Sequence, residues 1–550
     1  MKISVGDYLL KRLNEIGVDH VFGVPGDYNL SFLDQIETNK DISWVGACNE
    51  LNASYAADGY ARHKGAGALV TTFGVGELSA SNGIAGSYAE YVPVVNIVGM
   101  PSTASQDRKD LLHHTLGEGN FHVFVDMFSK FTTTQTVLNP FNAVREIDRV
   151  LEECMAKKRP VYIGIPADIA HTQVDDNYTP LRMGHFHSDR DMIQEAVNRT
   201  SKCIFDAEKP VILVDMCALR HEEMETLIIN LIETTGIPCA ALPMGKGLLN
   251  ETSPYYLGMY YGDYGTPGVK ERVEASDCVI SFGSVFSDFN TGGFTSTPAR
   301  NYHIEIHSDH VRLRHSLYQQ VDYREFISEL SESLGTYRYD EEVKRKSTNV
   351  EFVPREGKIV QERLWTRMES FFKPNSTIIG EAGTSLFGVL NTTFPEHTKF
   401  VCQPLWASIG YTVGALLGSS VADKTRENIL FIGDGSFQLT AQAISTMVRN
   451  KLCPIIFLLN NDGYTIERLI HGPERKYNDI QMWDYTSFAK SFGKEIFSAK
   501  VSTETELEEV LKSLDKHSNK LRFVEIKMEK MDAPQSLVEI GKLSAKVNQY

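Results

Sequence analysis

The sequence predicts an α/β protein of three doubly wound units with parallel sheets, and three observations lead there. Short apolar runs rich in Val, Ile and Leu recur between longer helical stretches, the alternation that gives parallel strands joined by right-handed crossovers. Two stretches without apolar periodicity, 171–190 and 337–357, interrupt that alternation and divide it into three. A pair of polar turns, Gly433-Asp434-Gly435-Ser436 and Asn460-Asn461-Asp462-Gly463, closes two consecutive apolar runs, and strand ends of this kind are where α/β sheets bind ligands.

The first unit is assigned to residues 1–180. Lys2 to Val18 alternates charged and apolar residues as an amphipathic helix does, which also sets it apart from a signal peptide. Ala68 to Thr72, Val94 to Val98 and Val161 to Ile165 read as strands, and Leu51 to Tyr60 as a helix following the run Ile42 to Ala47. The second unit, 190–340, has strands at Val211 to Val214, Cys278 to Phe282 and Tyr302 to Ile306. The third, 355–550, holds the two turns, on the strands Ile429 to Ile432 and Pro454 to Leu459.

Composition narrows the class of function. A chain of 550 residues is long enough for about three or four domains with large buried cores. Its formal charge of -16 argues against a nucleic acid or an anionic membrane as partner, and no apolar run approaches the roughly 18 residues of a membrane span. Eight cysteines without a Cys-x-x-Cys pair fit reduced, buried thiols and a cytosolic address.

The two turns carry the chemistry. Glycines at 433 and 435 let the backbone approach an anion, while Ser436 can cap a helix start and bind there. If the two strands are neighbours, the Asp434 carboxylate, the Asn461 amide oxygen and the Gly463 carbonyl converge. That all-oxygen set, with room for water and phosphate oxygens, suits Mg²⁺.

With these motifs the chain resembles the thiamine diphosphate enzymes, whose pattern is Gly-Asp-Gly followed about thirty residues later by Asn-Asn. Within them it is similar to the 2-oxo acid decarboxylases, the fungal pyruvate-specific type above all. The resemblance covers essentially the whole chain and is most specific at VFGVPGDYNL (21–30), TTFGVGELSASNGIAGSYAE (71–90), SDFNTG (287–292) and NNDGYTIERLIHG (460–472). It implies an N-terminal domain for the cofactor's pyrimidine, a middle domain, a C-terminal domain for the diphosphate, and a homodimer or homotetramer with the active site between subunits. It also implies decarboxylation of pyruvate to acetaldehyde and CO₂ through an enamine held by the cofactor. A branched-chain, phenylpyruvate or indolepyruvate decarboxylase, a carboligating synthase and a noncatalytic regulator are the other readings.

The same resemblance supplies roles. Glu50, which alone reads as a first-turn helix glutamate, becomes the acid that shares a proton with the pyrimidine ring, its pKa raised by burial. Thr384, Ala407, Ser408 and Ile409 join the two turns in holding the cofactor. Ile409 keeps it bent, and Ala407 stands where glycine is usual. Asp27, His113, His114 and Glu467 form the acid/base set: Glu467 for substrate positioning and decarboxylation, Asp27 with His114 for protonation and release. Adjacent side chains in extended structure point opposite ways, so His113 and His114 are expected to differ in role; with His122 they lack the usual zinc spacing. Phe289, Trp406 and Ile466 narrow the substrate pocket, Ala382 removes bulk and Leu386 adds it. Cys217, with His221 nearby, occupies the place of a cysteine tied to substrate activation, but Tyr91 replaces the histidine of that pattern, and a buried structural thiol is the reading preferred here.

Overall fold

The computed structural model describes residues 2–176, 179–184, 186–340 and 352–548. The first sheet runs Ser43–Gly46, His20–Gly23, Gly67–Thr72, Val94–Met100, Val161–Pro166, Gln135–Val137 in space, all parallel. The third runs Lys399–Val401, Ser376–Gly380, Glu427–Gly433, Ile455–Asn460, Leu521–Lys527, Ile496–Val501, again all parallel. Their central strands are buried from end to end, which is why they read as continuous apolar runs.

The middle sheet departs from the expected all-parallel pattern. Tyr256–Met259, Cys239–Ala241, Pro210–Val214, Cys278–Phe282 and His303–Ile306 are parallel, but His310–Leu313 and Ser316–Gln319 fold back as an antiparallel edge. The short His307-Ser308-Asp309 link leaves no room for a crossover helix, so the strand after it must return antiparallel.

Two further expectations need correction. The stretch 171–190 contains a strand, Gln173–Asp175, paired antiparallel with Lys2–Ser4, so the helix at the start of the chain begins only at Val5, capped by Ser4. Three residues are too few to show periodicity. Of the stretch 337–357, residues 341–351 lie outside the described residues, and 337–340 and 352–357 carry no helix or strand.

One contact positions the site. Helices Glu50–Lys64 and Tyr411–Ala422 cross almost without side chains between them: a Cβ on Gly418 would stand 1.9 Å from the Ala56 carbonyl oxygen, and one on Gly59 would stand 2.3 Å from that of Ala415. One continuous apolar core therefore runs from Phe22 and Tyr60 in the first sheet's layers to Leu430 and Ile456 in the third.

Candidate active site

Glu427–Gly433 and Ile455–Asn460 lie side by side, with Gly433 opposite Leu459, so their carboxyl ends share one edge. Asp434 starts the helix Asp434–Thr440 and is buried. Its Oδ1 accepts from the Gly435 N–H at 2.9 Å, and the Gly463 N–H lies 3.2 Å from Oδ2. Burial raises its pKa to about 6, and those backbone N–H groups oppose the rise. The Asn461 side-chain oxygen faces the Gly463 carbonyl oxygen at 3.1 Å and Asp434 Oδ1 at 3.2 Å. Reversing the amide would put an N–H among these oxygens; a cation satisfies all three as they stand. Neighbouring ligands of an octahedral Mg²⁺ with bonds of about 2.0–2.1 Å are about 3 Å apart, so the donor set fits that ion.

The turn is held from below by Arg468, whose buried guanidinium donates to the Asp462 carbonyl (2.6 Å), the Asn478 carbonyl (3.0 Å) and Asp479 Oδ1 (2.8 Å). Asp462 and Gly463 stand beside it at φ +62° and +114°, and the Gly463 N–H faces the Asp434 carboxylate. The two glycines of the first turn differ. A Cβ on Gly433 would meet nothing within 4 Å, whereas on Gly435 it would stand 2.6 Å from the Tyr464 ring. Gly433 faces open space, and Gly435 is small because an aromatic ring packs on it.

The loop before helix Tyr411–Ala422 carries Ala407, Ser408 and Ile409. Ala407 adopts φ +54°, a left-handed backbone that favours glycine, and this gives a physical reason for the usual residue there. Ser408 Oγ lies 2.6 Å from Tyr55 Oη and accepts from Asn82 Nδ2 at 2.9 Å, while Trp406 Nε1 donates to Asn82 Oδ1 at 2.9 Å. Two helices of the first layer thus hold a loop of the third. Thr384 begins the helix Thr384–Leu390 beside Gly383, where φ is +124° and a Cβ would meet nothing.

Glu50 opens the helix Glu50–Lys64, whose cap is Asn49, with its side chain accepting from the Asn52 N–H at 2.7 Å. It is half-buried, which raises its pKa, and a Cβ on Gly76 would stand 3.2 Å from its Oε1. Asp27, His113 and His114 come together: His113 Nε2 lies 2.6 Å from Asp27 Oδ2, and His114 Nε2 lies 3.7 Å from Oδ1. Tyr28 stacks on His113, with ring centres 5.1 Å apart. The expectation that the two imidazoles point apart fails here. His114 has φ +62°, so the backbone is a turn instead of a strand, and both rings face one carboxylate. Glu467 is exposed in the first turn of helix Thr465–Ile470, and among the described residues no hydrogen bond joins its side chain to that cluster.

Phe289, Leu386 and Ile466 share one apolar cluster with Tyr261, Phe387 and Leu537. Trp406 stands outside it, on Asn82, and Ala382 follows directly after Glu381. Cys217 borders a cavity of about 700 Å³ between the first and middle layers, and burial pushes its thiol up to about 12.

The sequence reading passed over Glu381. It is buried, its Oε2 accepts from Thr412 Oγ1 (2.5 Å) and the Thr412 N–H (3.3 Å), and burial raises its pKa to about 7. One carboxylate thus ties the 382–384 loop to the start of the helix after Ile409. Nothing in sequence separates such a glutamate from any turn residue after a strand.

Models of thiamine pyrophosphate enzymes match three segments in chain order: the N-terminal TPP binding domain at 3–122, the central domain at 197–330 and the C-terminal TPP binding domain at 381–526. Those modules define the class as thiamine pyrophosphate-dependent. Pyruvate decarboxylase isozyme 1 of Saccharomyces cerevisiae is 43% identical over 561 residues, covering 100% of this chain and 99% of the relative. The pyruvate decarboxylase of Aspergillus fumigatus is 43% identical over 558 residues, covering 99% and 98%. That of Kluyveromyces lactis is 42% identical over 561 residues, covering 100% and 99%. The chain belongs to the fungal-type pyruvate decarboxylase family.

Proposed function

We propose that this protein catalyses the non-oxidative decarboxylation of pyruvate to acetaldehyde and CO₂, using thiamine pyrophosphate and Mg²⁺. The observation that carries the reading is the oxygen triangle of Asp434, Asn461 and Gly463 beside the open backbone at Gly433, in a chain similar over its whole length to proteins named pyruvate decarboxylases. Thiamine pyrophosphate, when bound, supplies the electron sink that loss of CO₂ from a 2-oxo acid requires.

The protein's own groups do the rest. Asp434, Asn461 and Gly463 hold the cation, with Ser436 and the Gly433 and Gly435 backbone at the diphosphate. Thr384, Ala407, Ser408 and Ile409 line the ring-binding part. Glu50, its pKa already raised by burial, holds a proton and passes it to and from the pyrimidine nitrogen. Asp27 with His113 and His114 makes a relay that delivers a proton to the substrate carbon and removes one from the product hydroxyl. Glu467 orients the substrate carboxylate, and Phe289, Leu386 and Ile466 exclude water from it and limit its size, with Ala382 and Trp406 at the margin.

The protomer leaves Glu467 apart from the Asp27 cluster, and Leu111, Leu116, Val75 and Ile409 expose apolar surface near these elements. A second copy covering that surface, as homodimer or homotetramer, accounts for both facts. We assign the N-terminal, middle and C-terminal domains to 1–180, 190–340 and 355–550. Eight free cysteines are in keeping with a cytoplasmic address; among the described residues no helix is long and apolar enough to cross a membrane.

The test is incubation with Mg²⁺, thiamine pyrophosphate and, separately, pyruvate, 2-oxoisovalerate, phenylpyruvate and indolepyruvate, with CO₂ and aldehyde measured together. Fast acetaldehyde formation with little turnover of the larger acids supports the proposal. Preference for a larger acid, or acetolactate in place of aldehyde, refutes it.

A further inference from the structure

The middle sheet ends in a buried clamp that none of the roles above uses. Strands Pro210–Val214 and Cys278–Phe282 are neighbours, and the loops leaving their carboxyl ends meet at Asp215 and Asn290. Both side chains are buried, at 0% and 1% exposure. One carboxylate oxygen, Asp215 Oδ2, accepts from the Val285 N–H at 2.7 Å and from Asn290 Nδ2 at 2.8 Å. Asn290 Nδ2 also donates to the Val285 carbonyl at 2.9 Å, and Asn290 Oδ1 accepts from the Met244 N–H at 3.0 Å. The loop 285–290 is thereby closed on itself and fastened to two other segments of the middle layer. The residue immediately before Asn290 is Phe289, whose ring packs on Tyr261 and Phe387, with centres 5.6 and 6.0 Å apart.

We infer that Asn290 and Asp215 are positioning residues that set how far the Phe289 ring intrudes on the substrate pocket, and so fix the size limit on the 2-oxo acid. The inference rests on the decarboxylase reading above and adds the determinant of its selectivity. A polar clamp suits this task better than apolar packing, because its hydrogen bonds fix direction as well as distance, whereas an aromatic side chain on an unfastened loop can swing aside for a longer substrate. Charge is not what the clamp needs. Only Asp215 Oδ2 takes part in the clamp, and burial raises the acid's pKa to about 7, so an amide with its oxygen in the Oδ2 place keeps both clamp bonds.

The experiment compares kcat/KM for pyruvate with that for 2-oxoisovalerate in the cofactor-loaded protein and in Asn290→Ala, Phe289→Ala, the double variant and Asp215→Asn. Asn290→Ala should move the ratio toward the larger acid by about tenfold, within the range that small changes in an apolar pocket command. Phe289→Ala should move it the same way, and the double variant should match Phe289→Ala alone, because Asn290 acts only through that ring. Asp215→Asn should retain the parent ratio. If Asn290→Ala fails to fold, Asn290→Asp serves instead: it keeps the shape but sets a carboxylate against Asp215 and the Val285 carbonyl, and it should shift the ratio likewise. Additive effects of Asn290 and Phe289, an unchanged ratio in folded Asn290 variants, or an Asp215→Asn shift as large as that of Asn290→Ala would overturn the inference. A parent protein that turns over neither acid overturns the decarboxylase reading itself, and the inference with it.

Discussion

Gly433 and Gly435 sit two residues apart in one motif, yet a methyl group added to each should have opposite consequences. At Gly433 the backbone is φ -75°, ψ 155°, which any residue adopts, and the new Cβ would meet nothing within 4 Å. Gly433→Ala should therefore leave the apo fold intact or stabilise it by about 0.4–1 kcal/mol through the less flexible unfolded chain. The same methyl enters the space assigned to the diphosphate. Displacing one charge-assisted hydrogen bond removes about 1.5–3 kcal/mol of binding, a loss in affinity of roughly 10- to 100-fold at 1.4 kcal/mol per decade. At Gly435 the Cβ would stand 2.6 and 2.9 Å from carbons of the Tyr464 ring, so ring or backbone must shift, at a cost of about 1–3 kcal/mol to the fold. Urea unfolding of the apo proteins and titration with thiamine pyrophosphate in Mg²⁺, followed by tryptophan fluorescence, separate the two effects. A Gly433→Ala protein that binds like the parent, or is less stable than Gly435→Ala, would refute the placement of the anion.

Glu50→Gln should cut exchange of the cofactor's C2 proton by about 10²-fold or more while far-UV dichroism stays unchanged, and hydrogen–deuterium exchange read by NMR checks it. Asp434→Ala should abolish metal-dependent binding of the diphosphate, a loss that calorimetric titration in the presence and absence of Mg²⁺ would register. Glu77 is buried, its Oε1 accepting from the Gly74 N–H at 2.8 Å and its Oε2 from Tyr162 Oη at 3.0 Å, with its pKa raised by burial from 4.5 to about 7. Its folded pKa is above the unfolded one, so the stability it contributes is complete below about pH 4.5 and lost as pH rises through 7. Glu77→Gln should consequently exceed the parent at pH 8 by about 3 kcal/mol and match it near pH 4.5, as denaturant midpoints at the two pH values would reveal. Gly418→Ala should lower stability and cofactor affinity together, because the helices bearing Glu50 and following Ile409 must part by about 1 Å or more to admit the methyl.

What was legible in the sequence follows from how local each signal is. Continuous apolar strands announce themselves, since burial on both faces requires them. The oxygen triangle was legible because Asp434, Asn461 and Gly463 lie at the ends of adjacent strands and their donor types specify a hard cation. The pairing of Asp27 with both imidazoles was not, because it depends on the left-handed φ of His114, which a His-His dipeptide does not encode. Glu381 and the Asp215–Asn290 clamp were silent for a related reason. Each joins segments distant in sequence through a hydrogen bond, and a single chain carries no mark of which distant backbone N–H a carboxylate will meet.

The glycines at the helix crossing explain how the first and third layers of one protomer are locked together. Gly59 and Gly418 leave the helices Glu50–Lys64 and Tyr411–Ala422 in backbone contact, with carbonyl oxygens where Cβ atoms would otherwise stand, and Gly414 makes room for Tyr55 Cβ. Backbone packed on backbone has no rotamers to adjust, so a displacement of one helix is passed to the other without absorption by side chains. The first helix carries Glu50 at its amino end. The second begins at Tyr411, directly after the loop of Ala407, Ser408 and Ile409, whose Ser408 is in turn bonded to Tyr55 on the first helix. If Glu50 is the acid proposed above, it tolerates little drift, and in an active site formed between two copies this crossing fixes where each protomer presents its acid and its loop. The small residues therefore serve rigidity within a protomer, on which the alignment of the proposed acid of one copy with the 407–409 loop of the other would depend.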